Sequence, residues 1–118
     1  MNKKILVVVS HPDDEILGCG GSLIKHIKKG DRVKVIFTSE SEKARNINNL
    51  NKAKKKSKSR KEVAKNVSKL LKFDEPIFLN FNNLSLTRED VTIMNGQLRE
   101  IIQTFRPSTI YTHSPNDI

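Results

Sequence analysis

The densest chemistry in this 118-residue chain is the string His11-Pro12-Asp13-Asp14-Glu15. Three carboxylates in a row repel one another unless a positive charge sits among them. Pro12 restricts the residue before it to extended backbone, so His11 projects from the end of the strand that precedes it. The acids that follow enter a helix, whose first-turn amides favour carboxylates. His11 and one carboxylate can then converge on a cation and leave another carboxylate free beside it. A His/Asp set with an open coordination position suits a catalytic zinc, and the spare carboxylate suits a general base that takes a proton from water. The bland alternative makes the aspartates helix caps and His11 a hydrogen-bonded loop residue. The setting disfavours it, because the string follows Ile5-Leu-Val-Val-Val9 directly and stands two residues before Gly18-Cys-Gly-Gly21.

Such a site needs elements to hold it. Ile5–Val9, Val33–Phe37 with Thr38, Ile77–Phe81 and Thr109–Thr112 are short apolar runs with the composition of buried strands. Three helical periodicities alternate with them. Ile16, Leu17, Leu23, Ile24 and Ile27 form the first, ended by Gly30, and Val63, Ala64, Val67, Leu70 and Leu71 form the second. Val91, Met94, Leu98, Ile101, Ile102 and Phe105 form the third, opened by a capping-box-like Thr87-Arg-Glu-Asp90 and closed before Pro107. Strands that are apolar throughout have both faces covered. The expectation is one α/β domain over residues 1–118, a Rossmann-like parallel sheet flanked by helices. Residues 39–61 read as a mobile, basic and Asn-rich loop that runs into the second helix between Asn51 and Arg60. In open α/β sheets ligands bind beyond the carboxyl ends of the strands. That edge receives Ser10–Glu15, Thr38–Glu42, Asn80–Asn83 and His113–Asp117.

Charge and composition exclude several classes. The net charge is +9, yet residues 43–72 hold 12 of the 22 Lys/Arg residues and one acid, Glu62. The remainder is nearly neutral, so the fold as a whole is not built on a nucleic-acid footprint. Five Phe, one Tyr and no Trp offer little for base stacking, and no specific nucleic-acid partner is expected. A single cysteine, Cys19, excludes an intramolecular disulfide and a Cys-rich zinc finger, and it reads as a small packed residue. No apolar run approaches the ~20 residues of a membrane span, and the five-residue run at the start is too short for a signal peptide. A cytoplasmic location is the default. His26, among lysines on a helix, reads as solvated. A magnesium-binding phosphoacceptor domain would need an aspartate at the end of the third strand, and residues 77–83 contain none.

Ile5-Leu-Val-Val-Val-Ser-His-Pro-Asp-Asp-Glu-Ile-Leu-Gly-Cys-Gly-Gly-Ser-Leu23 resembles the opening of the LmbE-like (PIG-L) zinc N-deacetylases, which remove acetyl from N-acetylglucosamine units of glycoconjugates. Gly30-Asp-Arg-Val-Lys-Val-Ile-Phe-Thr38 is similar to the family's second strand, and Arg106–Asp117 to the approach to its second metal motif. The resemblance spans the chain but only the N-terminal part of the family's catalytic domain. It implies Zn2+ as cofactor, His11 and Asp14 as ligands, Asp13 as general base, and an N-acetylated amino sugar as substrate. It also implies Arg60, at the start of the second helix, and Asp117 as substrate-binding residues.

This chain departs from the family pattern in three places. Val63 stands where the family has Glu, and Leu71-Lys72-Phe73 replaces the Leu-Gly pair that ends the helix. The family's third ligand lies in a motif just beyond Asp117, and this sequence ends at Ile118. His113 is the candidate substitute ligand. With two matched ligands the expectation is weak zinc binding, little activity from these residues alone, and self-association through uncovered apolar surface.

Overall fold

Lys4–Val9 forms β1, the centre of a four-stranded parallel sheet of order β3-β2-β1-β4, with β2 at Arg32–Ser39, β3 at Ile77–Phe81 and β4 at Thr109–Thr112. The helices between them are α1 (Asp14–Lys28), α2 (Leu50–Leu70) and α3 (Arg88–Phe105). The computed structural model describes residues 2–10, 14–39, 50–81 and 87–112, with side chains described from residue 20 within α1 and from residue 58 within α2.

The pleat divides β1 between two cores, because successive side chains point to opposite faces. Ile5, Val7 and Val9 join Val33, Val35 and Phe37 of β2 under Leu23 and Ile27 of α1 and Ala64 of α2. Leu6 and Ile36 face the other way and are covered by Phe105, Leu98 and Ile101 of α3. Both faces are therefore covered, as the unbroken apolar run of β1 requires. Phe37 and Phe78 stack at 5.3 Å between centroids, and β2 is tied to the α2–β3 connection by the Asp74 amide donating to Val33 O at 2.8 Å.

The helix ends follow from named residues. Thr87 caps α3 in a full capping box: its hydroxyl accepts from the Asp90 amide at 3.0 Å and its own amide donates to Asp90 Oδ2 at 3.0 Å. Gly30 takes φ +88° in the turn after α1, a conformation that costs glycine little. Lys72 takes φ 64° just after α2, a left-handed position that glycine fills most readily.

Two expectations change. α2 is already helical at Leu50, so 50–61 are not loop; Lys and Ala, which dominate 52–56, are good helix formers. Residues 40–49 lie outside the described residues. The second apolar stripe is also narrower than its periodicity suggests. Ala64, Ser68 and half-buried Leu71 face the sheet, whereas Val63 and Leu70 are 52% and 81% exposed.

Candidate functional site

Crossover handedness locates the site. α1 and α2 lie on one face of the sheet and α3 on the other. The chain therefore winds from β1 outward through β2 to β3 on one side, then returns by α3 to β4 on the opposite side of β1. The direction of winding reverses between β1 and β4. In open α/β sheets that switch point leaves a crevice outside the carboxyl ends of the two strands, because their flanking helices depart to opposite faces. β1 reaches this edge at Val9 and β4 at Thr112, in the register Val8↔Thr112.

At that edge the described residues are polar and closely tied. The Ser39 amide donates to Ser10 O at 2.9 Å, extending the β1–β2 ladder one step past Val9. The buried Thr38 hydroxyl donates to Val9 O at 3.5 Å and lies 3.4 Å from Ser39 Oγ. Between Ile36↔Ile77, Phe37↔Phe78 and Ser39↔Phe81 the pairing skips a residue on β3, where Asn80 takes φ 63°. This is a β-bulge next to the strand ends, and asparagine is among the side chains that accept the left-handed backbone it needs.

The residues that the sequence suggests for a metal flank this edge in the chain. His11 and Asp13 lie outside the described residues, between Ser10 and the start of α1. Asp14 is the first residue of α1, where a helix N-terminus favours a carboxylate; its side chain lies outside the described set. His113 and Asp117 follow β4 and also lie outside it. The donor set itself, one imidazole nitrogen with carboxylate oxygens, fits zinc. Among the described residues there is no group of three or more His, Cys, Asp or Glu side chains that could hold a metal ion. Arg60 is exposed and stands in the middle of α2, not at its start. Ten residues of helix precede it, roughly 15 Å at 1.5 Å per residue.

The largest departure from the sequence reading is His26. Its Nδ1 lies 2.8 Å from Asp31 Oδ2 and its Nε2 3.0 Å from Tyr111 Oη, and its side chain is 16% exposed. The Lys3 amide donates to the other Asp31 oxygen at 2.9 Å. These two donors hold the Asp31 carboxyl below the usual carboxylate range, the Lys3 backbone bond acting most strongly. The network joins α1, the turn before β2, the start of β1 and the far strand β4. It solvates His26 with protein groups, where the lysine-rich surroundings suggest water.

The described residues thus define an α/β protein with a switch-point crevice between β1 and β4. Residues 6–118 match the PIG-L family, described as GlcNAc-PI de-N-acetylase, and the chain belongs to that family. It is 28% identical over 117 residues to a probable N-acetyl-alpha-D-glucosaminyl L-malate deacetylase of Bacillus cereus, covering 98% of this chain and 53% of that protein. The chain therefore spans about half the length of this curated relative. Its fold is shared with the N,N'-diacetylchitobiose deacetylase of Pyrococcus horikoshii at a TM-score of 0.75 and 23% identity, over 92% of this chain and 39% of that one. It is also shared with the 4-carboxy-2-hydroxymuconate hydratase of Pseudomonas putida at a TM-score of 0.76 and 22% identity, over 95% and 47%. Two chemistries on one fold mean that the fold does not select between them.

Proposed function

We propose that this chain carries the N-terminal half of a zinc-dependent N-deacetylase that hydrolyses the acetamide of an N-acetylglucosamine-type glycoconjugate. The carrying observation is the switch point between β1 and β4, immediately preceding His11-Pro-Asp-Asp14 on one strand and His113–Asp117 on the other. The family match and the deacetylase relative favour hydrolysis over hydration. The relative's N-acetylglucosaminyl substrate supports the sugar class.

In this reading His11 and Asp14 hold the zinc, with His113 the candidate for a third position. When bound, zinc supplies Lewis acidity toward the acetyl carbonyl and toward water. Asp13 accepts the proton of the water that adds to the carbonyl carbon. The C–N bond then breaks, releasing acetate and a free amine that takes up the proton. Arg60 and Asp117 are assigned to the polar groups of the sugar. Cytoplasmic location belongs to the proposal through the lone Cys19, which fits a reducing compartment. No helix among the described residues is long and apolar enough to cross a membrane.

The test is acetate release from an N-acetylglucosamine glycoside, after chelation and after zinc is returned. Zinc-dependent release that Asp13→Ala abolishes supports the reading. Release that ignores chelator, or turnover of an unsaturated carboxylic acid in its place, overturns it.

A second reading has its own observation. Lys58, Lys65 and Lys69 are exposed along one side of α2, a basic face suited to an anionic partner. Binding through that face falls steeply with added salt; sequence-selective nucleic-acid binding at physiological salt would favour a binding module over the enzyme.

A further inference from the structure

The amino-terminal edge of the sheet carries a second unusual arrangement. Lys4 pairs with Arg32 in the β1–β2 register, and Lys34 follows two residues on, so all three project from the face that α3 covers. That placement gathers three cations around one buried ring. Lys4 Nζ is 5.8 Å, Arg32 Cζ 5.3 Å and Lys34 Nζ 5.4 Å from the centroid of Phe105. No two of the three are then farther apart than about 11 Å, roughly one Debye length at 0.1 M salt, so their repulsion is not screened away.

Only one of the three is neutralised. Arg32 Nη2 donates to Asp74 Oδ2 at 2.6 Å. Among the described residues neither Lys4 nor Lys34 has a carboxylate within ion-pair distance, and their described partner is the ring itself. One aromatic face is worth little against two half-buried ammoniums. The same side chains line an open cavity of about 410 Å³, together with Phe105, Thr104 and Glu100 of α3. Lys4 opens β1 and Val9 closes it, so the cavity lies roughly 16 Å along the strand from the candidate deacetylase edge.

We infer that this cavity is an anion-binding site, separate from the crevice between β1 and β4, that accepts the phosphate group of a small molecule. The two ammoniums and the free edge of the Arg32 guanidinium supply charge-assisted donors. The Thr104 hydroxyl is a further donor on the cavity wall, and Phe105 is its floor. Glu100 opposes an anion there, which sets how tightly the site holds one.

The test uses inorganic phosphate, titrated into the full chain at constant ionic strength with chloride as the balancing ion. Backbone amide resonances of Lys4, Lys34, Thr104 and Phe105 are followed. The site predicts saturable shifts at these residues that chloride does not reproduce. Lys4→Met with Lys34→Met weakens binding at least about tenfold at unchanged amide dispersion. Glu100→Gln tightens it several-fold, a gain that a purely structural role for these residues does not produce. Shifts matched by chloride, shifts confined to the lysines of α2, or saturable binding that survives the double substitution would each overturn the assignment.

Discussion

The two edges of this sheet are built from opposite materials. At the amino edge, long side chains reach across elements: Asp31 binds Lys3 and His26, His26 reaches Tyr111, and Arg32 holds Asp74. At the carboxyl edge, the described ties are short and local, the Ser39 amide on Ser10 O and the Thr38 hydroxyl on Val9 O. The first arrangement fixes β4 and α1 on β1, where no crossover segment joins α1 to β4 directly. The second leaves polar backbone and hydroxyls where the string proposed to bind metal departs. The amino edge thus carries side-chain ties between elements, and the carboxyl edge carries the strand end from which that string departs. Substitutions at the two ends should separate stability from activity.

The largest separation is expected at Asp13. In a chain that carries the family's third-ligand motif, replacing it with alanine should lower acetate release by about 10²- to 10⁴-fold, the scale of general-base catalysis, and leave the melting temperature unchanged. Loss of rate with equal loss of stability would merge the two edges and break the comparison.

Leu23 tests the core that joins them. It is fully buried under the α1 face of the sheet with Val7, Val33 and Val35. Leu23→Ala should cost about 2–5 kcal/mol in chemical denaturation. On the thinner α3 face, Leu98 is only half-buried, and Leu98→Ala should cost less.

Asp31 sharpens the comparison through pH. Its folded-state pKa is held below its unfolded value of about 3.9. Its contribution to stability is therefore complete above that pH and is lost as pH falls toward the folded pKa. Asp31→Asn should be less stable than the natural chain at pH 7, and the gap should narrow below about pH 4. A gap independent of pH would assign the residue a packing role alone.

The smallest effect is at Lys72, whose φ of 64° suits glycine better than lysine. Lys72→Gly should raise stability by about 0.5–1 kcal/mol, read as a shift in the denaturation midpoint.

The central strands β1 and β2 were legible because parallel strands buried on both faces are apolar throughout, and the less buried edge strands because aromatic and β-branched residues favour strands. Ile77–Phe81 and Thr109–Thr112 match the apolar runs residue for residue. β1 and β2 each begin one residue earlier, at Lys4 and Arg32, since a strand's backbone ladder does not require an apolar side chain at its end. The capping box at Thr87 was legible for the same local reason. His26 was not, because its partner Tyr111 is 85 residues away and only the tertiary fold brings them together. Nor was the bulge at Asn80, which reflects a register between two strands that neither sequence encodes alone. The carboxyl edge was legible, since right-handed crossovers bring the segments after all four strands to it. The crevice between β1 and β4 was not, because it depends on a strand order that handedness alone does not fix. Arg60 was misplaced along its helix because the lysine-rich segment before it extends the helix to Leu50.

The central claim is that the string after β1 binds a catalytic metal. Calorimetric titration of zinc into the natural chain, His11→Ala, Asp14→Ala and Asp13→Ala tests it without requiring turnover. Zinc binding should be lost in the first two variants and retained in Asp13→Ala, because the role proposed for the Asp13 carboxylate is to take a proton and not to hold the metal. Zinc binding that survives His11→Ala and Asp14→Ala together would contradict the account.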